Sequence, residues 1–112
     1  MPIERWSDTI WLVTPGEEPG LSDDLISAAE QAEQCVPVPS IVLDLGGVSH
    51  FNSTNVSQLL RLRRVIEDGS AKLRITAMAP PIHTVLKTME IDRLFHCVED
   101  VPTALAGLQL EA

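Results

Sequence analysis

A cluster of polar side chains stands in the middle of the chain, in the stretch HFNSTNVSQLLRLRR (residues 50–64). Ser53 and Thr54 carry hydroxyls between two asparagines, Asn52 and Asn55. Such groups can act as nucleophiles, contact a partner, or cap a helix by accepting hydrogen bonds from its first N–H groups. A cap needs only one or two of the four residues, so the stretch is also a candidate for chemistry or partner binding.

Known catalytic sequence patterns are missing from this chain. It contains no GxSxG elbow, GxxxxGK[ST] loop, GxGxxG turn or HExxH pair. The histidines His50, His83 and His96 share no helical or metal-ligand spacing. His50 lies near Ser53 and Thr54, but no acid is placed to orient it in a Ser-His arrangement. We therefore expect no enzyme, no metal site and no cofactor.

Composition narrows the class of protein. The 112 residues are 45% hydrophobic and 21% charged, which is enough apolar material for one domain over residues 1–112. The net charge of -8 comes from 16 acidic against 8 basic side chains. That charge repels a polyphosphate and argues against nucleic acid as a partner, whereas it favours a basic protein surface.

The sequence shows no recognisable targeting signal and no paired cysteines, which predicts a cytoplasmic protein. No apolar segment follows a basic start, and no stretch approaches the roughly 20 apolar residues that span a bilayer. Direct membrane insertion is therefore not expected. Cys35 and Cys97 lie far apart with no CxxC spacing, which predicts two buried free thiols.

Apolar periodicity predicts alternating strands and helices. Besides the helix that follows the polar cluster, the predicted elements are strand 9–13, helix 22–35 capped by Ser22, strand 41–45, strand 72–78, helix 80–90, strand 95–99 and helix 101–110. This alternation predicts an α/β fold with a mixed, largely parallel sheet packed with helices.

The polar cluster follows a buried strand at its carboxyl end, where open α/β sheets place functional groups. Counting 100° per residue along the helix gathers four apolar residues on one side, Leu59, Leu62, Val65 and Ile66. The other side carries Thr54, Ser57, Arg61, Arg64 and Asp68. A purely structural alternative remains open, in which Asn52 or Ser53 only caps the helix for about 1 kcal/mol and the arginines are solvated.

The stretch IVLDLGGVSHFNSTNVSQLLRLRR resembles the middle of the STAS domain, the domain of sulphate transporters and anti-sigma-factor antagonists. In that family a V-L-D-L strand leads through a loop to Asp-Ser-Ser/Thr-Gly and a leucine-rich helix. The later stretch VLKTMEIDRLFHCVEDVPTAL is similar to the family's ending. The resemblance covers nearly the whole chain and implies a single STAS-like domain.

The resemblance implies a partner-switching module that binds an anti-sigma factor, which is also a serine/threonine kinase. Phosphorylation of the hydroxyl before the family's glycine ends the binding, and a phosphatase is a further candidate partner. Thr54 matches this acceptor, with Ser53 as the alternative. Asn52 replaces the family's acid and lacks its charge, while Asn55 adds a side chain where the family has glycine.

The resemblance also outlines a partner surface at one end of the fold. Its predicted members are Asn52, Ser53, Thr54, Asn55, Ser57, Arg61, Gly16 and Glu17. The acidic loop around Glu17 either steers a basic partner or is simply solvated, and Arg61 with Arg64 would dock an acidic partner or the phosphate itself. The alternative function is a non-switching STAS scaffold, such as a sensory-complex component or the cytoplasmic subunit of a lipid-transport system.

Overall fold

Five strands and four α-helices appear in the computed structural model, which describes residues 3–111. In chain order the elements are β1 (Ile3–Arg5), β2 (Ile10–Val13), α1 (Gly20–Glu33), β3 (Ser40–Asp44), α2 (Ser53–Asp68), β4 (Leu73–Thr76), α3 (Pro80–Thr88), a 3-10 turn (Asp92–Leu94), β5 (His96–Val98) and α4 (Val101–Glu111). Every predicted strand and helix is present, and the observed bounds lie close to the predicted ones.

The strands form one mixed sheet in the order β1-β2-β3-β4-β5. β1 pairs antiparallel with β2, and every later pair is parallel. A parallel neighbour requires a crossover, which α1, α2 and α3 supply in turn. The predicted α/β class with a largely parallel sheet is therefore confirmed.

The edge strand β1 is an element that the sequence pattern does not predict. It is three residues long, and two of them, Glu4 and Arg5, are charged and exposed. Its position depends on tertiary contacts, because Ile3 pairs with Val13 and the Arg5 guanidinium lies 5.2 Å from the ring centre of Trp11. A cation over an indole face is attractive, so Arg5 also covers this buried ring.

The sheet is covered unequally on its two faces. One face contributes the main core, in which α1, α2 and α3 pack on apolar strand residues such as Ile41, Leu43 and Ile75. On the other face, α4 alone packs on β-strand residues, and this smaller core consists of Ile10, Val42, Ala104, Leu105 and Leu108. Because both faces are covered, the middle of β3 is fully buried, as its continuous apolar run predicts.

Helix α2 is amphipathic in the predicted sense. Leu59, Leu62 and Ile66 are fully buried, whereas the side with Thr54 and Arg61 is exposed. At 16 residues α2 is the longest helix of the described residues, and among residues 3–111 no helix is both long and apolar enough to cross a membrane.

Two local predictions are wrong. Helix α1 begins at Gly20 rather than at residue 22, and the Ser22 hydroxyl donates to the Glu18 carboxylate instead of capping the helix. The cysteines are free, as predicted, but neither is buried: Cys35 is partly exposed and Cys97 is exposed. Cys97 lies on the three-residue strand β5 at the edge of the sheet, where no further strand covers it.

The parallel arrangement gives the domain two distinct ends. The loops that follow β2 to β5, with the first turns of the helices, lie at one end, which we call the carboxyl end. The helices run back, so their last turns, the β1–β2 hairpin and the loops that enter the strands lie at the other end, the amino end. In agreement with this, Glu111 at the end of α4 binds Lys72, which directly precedes β4.

Candidate functional site

The polar cluster forms the first turn of α2 at the carboxyl end. Asn52 is the N-cap, in extended conformation, and its side-chain oxygen accepts a 2.8 Å hydrogen bond from the Asn55 backbone N–H. The Asn55 side-chain oxygen accepts a 3.0 Å bond from the Asn52 N–H in return. This reciprocal pair is a capping box, built here from two amides. Of the two residues that the sequence offers as the cap, Asn52 and Ser53, the structure shows that Asn52 caps the helix.

The two hydroxyl residues of the cluster point to solvent. Ser53 and Thr54 occupy the first two helical positions and are exposed. Among the hydrogen bonds of the described residues, neither hydroxyl has an intramolecular partner, whereas the exposed Ser57 hydroxyl donates to the Ser53 carbonyl at 3.3 Å. Both hydroxyls are therefore accessible to another protein.

Asn55 has a different environment from its neighbours. The Asn55 side chain is only 1% exposed, so the prediction that it belongs to the partner surface is wrong. Its side-chain N–H₂ group faces three acceptors, on Glu18 at 3.2 Å, Gln58 at 3.2 Å and Ser22 at 3.4 Å. Asn55 thus joins α2 to the loop before α1 and to the first turn of α1.

The acidic loop after β2 lies against the cluster, as the resemblance implies. The Glu17 carboxylate accepts hydrogen bonds from the Ser49 N–H at 3.0 Å and from the Ser49 hydroxyl. The Glu18 carboxylate accepts from the Ser22 N–H at 2.8 Å and hydroxyl at 2.7 Å. The loop is exposed but anchored at two points, so it is not simply a solvated segment.

The same hydrogen bonds favour the charged form of both carboxyls. The Ser49 hydroxyl, followed by the Ser49 N–H, lowers the pKa of Glu17 below its ordinary value. The Ser22 hydroxyl, followed by its N–H and the Asn55 amide, lowers the pKa of Glu18. Both residues are exposed, so solvent screens these effects, but both carboxylates are ionised at neutral pH.

An apolar groove runs between α1 and α2 beside Thr54. It has a volume of about 220 Å³, its apolar lining comes from Leu25 and Ile26, and its polar lining comes from Thr54, Ser57, Gln58 and Arg61. The Arg61 guanidinium reaches Glu33 only at 4.0 Å, and both side chains are largely exposed. Such a pair contributes little, so Arg61 is free to turn towards a bound partner.

The contacts of His50 and the clusters of possible metal ligands bear on the question of catalysis. His50 is exposed, and no hydrogen bond of the described residues joins it to Ser53 or Thr54. Within residues 3–111, no group of three or more His, Cys, Asp or Glu side chains could hold a metal ion.

Charge is distributed unevenly between the two ends. At the carboxyl end, segments 14–24, 44–55, 77–82 and 98–103 carry seven carboxylates and no lysine or arginine. The rest of the chain carries nine carboxylates and all eight lysines and arginines. The carboxyl end therefore attracts a basic surface, and the amino end is almost neutral.

Several contacts of the site are not apparent from the sequence pattern. Glu17, Glu18 and the groove residue Ile26 are distant from α2 in sequence, and only the fold brings them to the polar cluster. The Asn55 contact had a readable signal, because Asn52 and Asn55 have the three-residue spacing of a capping box.

Comparison with known proteins assigns the fold to a family. The family model described as STAS domain matches residues 16–104. No curated protein matches the chain in sequence. Solved structures share the fold at low identity: the anti-sigma factor antagonist SpoIIAA in its unphosphorylated form has a TM-score of 0.78 at 13% identity, covering 96% of this chain and 94% of that one.

Two further structures have similar values. A STAS domain protein from Planctomyces limnophilus has a TM-score of 0.74 at 17% identity, covering 89% of this chain and 91% of that one. An RsbS variant from Moorella thermoacetica has a TM-score of 0.76 at 19% identity, covering 97% and 96%. With the family model matching most of its length, the chain belongs to the STAS domain family.

Proposed function

We propose that this chain is a partner-switching module of the anti-sigma-factor-antagonist type, acting in the cytoplasm on transcription. Its proposed partner is an anti-sigma factor that is also a serine/threonine kinase, and Thr54 is the proposed phosphate acceptor. The observation that carries this proposal is the exposed Thr54 hydroxyl in the first turn of α2, beside the apolar groove.

The unmodified site is suited to docking. The groove with Leu25 and Ile26 can receive an apolar side chain of the partner, while Ser53, Thr54 and Ser57 offer neutral hydroxyls around it. The surplus of carboxylates at this end would steer a basic partner surface towards the groove and raise the association rate.

Phosphorylation would change the interface rather than the fold. The kinase would transfer the γ-phosphoryl group of ATP to the Thr54 Oγ1, releasing ADP and the hydroxyl proton. The product carries roughly -1.5 to -2 charges at a helix N-terminus, where the free N–H groups and the dipole favour an anion. The same dianion would have to be desolvated against a surface shaped for a neutral hydroxyl, which costs several kcal/mol. A phosphatase would restore binding.

A non-switching scaffold is the second candidate function. It is supported by the two amides of the capping box, because Asn52 lacks the negative charge of the family's acid and the Asn55 side chain is engaged internally. A kinase that recognises the family's acid at position 52, or that requires glycine at position 55, would not phosphorylate this site.

Mass spectrometry can separate these two functions. The chain is co-expressed with each kinase-type anti-sigma factor of the same genome, and its intact mass and phosphopeptides are measured. We expect one phosphate, lost in Thr54→Ala and kept in the matched controls Ser53→Ala and Ser57→Ala. Label that persists in Thr54→Ala and maps to Ser53 or Ser57 would disprove the assigned acceptor.

A charge mimic tests the mechanism. We expect Thr54→Glu to melt within a few degrees of the wild type, because an acid in the first turn is compatible with the helix dipole. Its affinity for the kinase should fall at least about tenfold, or roughly 1.4 kcal/mol, measured by calorimetric titration. Thr54→Val, of similar shape without charge, is the control. Unchanged affinity of Thr54→Glu would favour the scaffold.

A further inference from the structure

The apolar groove beside Thr54 has one charged side chain in its lining, that of Arg61. The lining consists of Leu25, Ile26, Thr54, Ser57, Gln58 and Arg61. The segments at the carboxyl end carry no lysine or arginine, so Arg61 is the cation that α2 itself brings to the groove. A guanidinium and a hydroxyl that accepts a phosphate would together supply both halves of an ion pair.

The other polar side chains of the groove are already engaged within α2. The Ser57 hydroxyl donates to a backbone carbonyl of the preceding turn at 3.3 Å, and the Gln58 side-chain oxygen accepts from the Asn55 amide at 3.2 Å. Arg61 has a weaker partner, because its guanidinium lies 4.0 Å from the Glu33 carboxylate and both side chains are largely exposed. Such a pair contributes little, so Arg61 can exchange Glu33 for a stronger anion at small cost.

Helix geometry brings Arg61 and Thr54 to the same face of α2. Seven residues separate them, which corresponds to about 10.5 Å along the helix axis and leaves the two side chains about 20° apart around it. Long side chains in a helix lean towards its N-terminus, so the favoured directions of the Arg61 side chain run back along the groove towards Thr54. Ser57 lies between the two residues and is small, so it leaves this path open.

The following inference rests on the proposed phosphorylation of Thr54. We propose that Arg61 binds the phosphate on Thr54: its guanidinium leaves Glu33 and donates hydrogen bonds to the phosphate oxygens. The paired donors of a guanidinium match a phosphate, and a dianion attracts them more strongly than an exposed carboxylate does. In this position the Arg61 side chain crosses the groove and covers Leu25 and Ile26. Phosphorylation would then prevent docking in two ways, by its charge and by closing the groove to an apolar side chain of the partner.

Genetically encoded phosphothreonine tests this proposal in the full chain, because it places the phosphate at position 54 during translation without a kinase. A pH titration of the phosphorus NMR signal measures the second pKa of the phosphate. A cation in contact with the phosphate favours the dianion and lowers this pKa, so Arg61→Gln should raise it by about 0.5, a threefold change in proton affinity. A charge that lies a Debye length away should change the pKa by only about 0.1.

Arg64→Gln is the matched control. Arg64 is an exposed arginine further along α2 that does not line the groove, so its replacement should change the phosphate pKa by no more than about 0.1. Arg61→Lys keeps the charge and should restore most of the lowering. The Ile26 methyl signal should shift on phosphorylation in the wild type and much less in Arg61→Gln. Both arginines are exposed, so folding should be unaffected, and a thermal melt checks this.

Two results would overturn the proposal. One is a phosphate pKa in Arg61→Gln that stays within about 0.1 of the wild type, and the other is an equal rise in Arg64→Gln, which would indicate a long-range charge effect. Neither result depends on a kinase. A Thr54 that no kinase modifies would instead contradict the proposed function and leave the measured phosphate pKa values unchanged, so the two failures are distinguishable.

Discussion

Replacing Asn55 by alanine tests whether the amide contacts in the first turn of α2 stabilise the domain. The substitution removes the acceptor of the Asn52 N–H and the donor to Gln58 and Ser22. It also removes the bond to the exposed Glu18 carboxylate, to which we assign no energy because solvent screens it. The helix and its apolar face are otherwise unchanged.

The expected loss in the free energy of unfolding follows from the number of hydrogen bonds that the substitution removes. A protein hydrogen bond contributes about 0.5–1.5 kcal/mol net, and a helix cap about 1 kcal/mol, so the removed contacts amount to about 2 kcal/mol. Alanine has the higher helix propensity and offsets about 0.5 kcal/mol of this. The net loss is about 1.5 kcal/mol, which at about 4 °C per kcal/mol lowers the melting temperature by about 6 °C in a domain of this size.

Urea unfolding followed by far-UV circular dichroism measures the change directly. We expect a lower midpoint with an unchanged m-value, since the compactness of both states is preserved. Ser57→Ala is the control: this residue lies on the same helix but is exposed, so its effect should stay within about 0.5 kcal/mol. If Asn55→Ala melts within about 1 °C of the wild type, water replaces these contacts fully and our reading of Asn55 as a structural link is wrong.

Three further predictions concern pH, glycine positions and catalysis. The pKa of Glu17 is lowered in the folded state, so the ionised Glu17 carboxylate stabilises the fold above its ordinary pKa of 4.5, and this stabilisation is lost as the pH falls through the folded pKa. In acid titrations of unfolding, Ser49→Ala should therefore lose less stability than the wild type over this pH range. Gly69→Ala should destabilise the domain by more than about 1 kcal/mol, because the added Cβ would lie 2.4 Å from the Val38 Cβ. Gly107 lies in α4 with open space around its Cα, so Gly107→Ala should stabilise the domain by about 0.5–1 kcal/mol; thermal melts measure both effects. The purified domain should hydrolyse neither p-nitrophenyl acetate nor ATP, and turnover above the buffer blank that is lost in His50→Ala would contradict this.

The sequence pattern predicts the elements that have a strong local signal. β3 is a continuous apolar run and α2 is a long amphipathic segment, so the pattern of apolar residues alone identifies both elements. β1 has neither property, and it forms because the edge of β2 is available for pairing. The start of α1 is missed for a similar reason, since the contacts at its first turn come from Glu18, outside the helix.

The candidate site is predictable in position but not in its internal contacts. The turn between β3 and α2 follows from the order of the elements, and Thr54 is exposed as the helical periodicity predicts. The burial of Asn55 depends on Glu18 and Ser22, which a pattern confined to α2 does not include. The resemblance matches Asn55 to a glycine on the partner surface, whereas the structure buries the Asn55 side chain.

The capping box of two amides has a consequence for which substitutions this site tolerates. Asn52 and aspartate differ by a single nucleotide, and an aspartate would accept the same hydrogen bond from the Asn55 N–H while improving the interaction with the helix dipole. An aspartate at position 52 is therefore accessible by one nucleotide change without loss of the cap. Asn55 differs from glycine by two nucleotides. Its loss would break contacts to four other residues, Asn52, Glu18, Ser22 and Gln58, and introduce the backbone entropy of glycine. A change at Asn52 to aspartate therefore keeps the turn intact, while a change at Asn55 to glycine disrupts it.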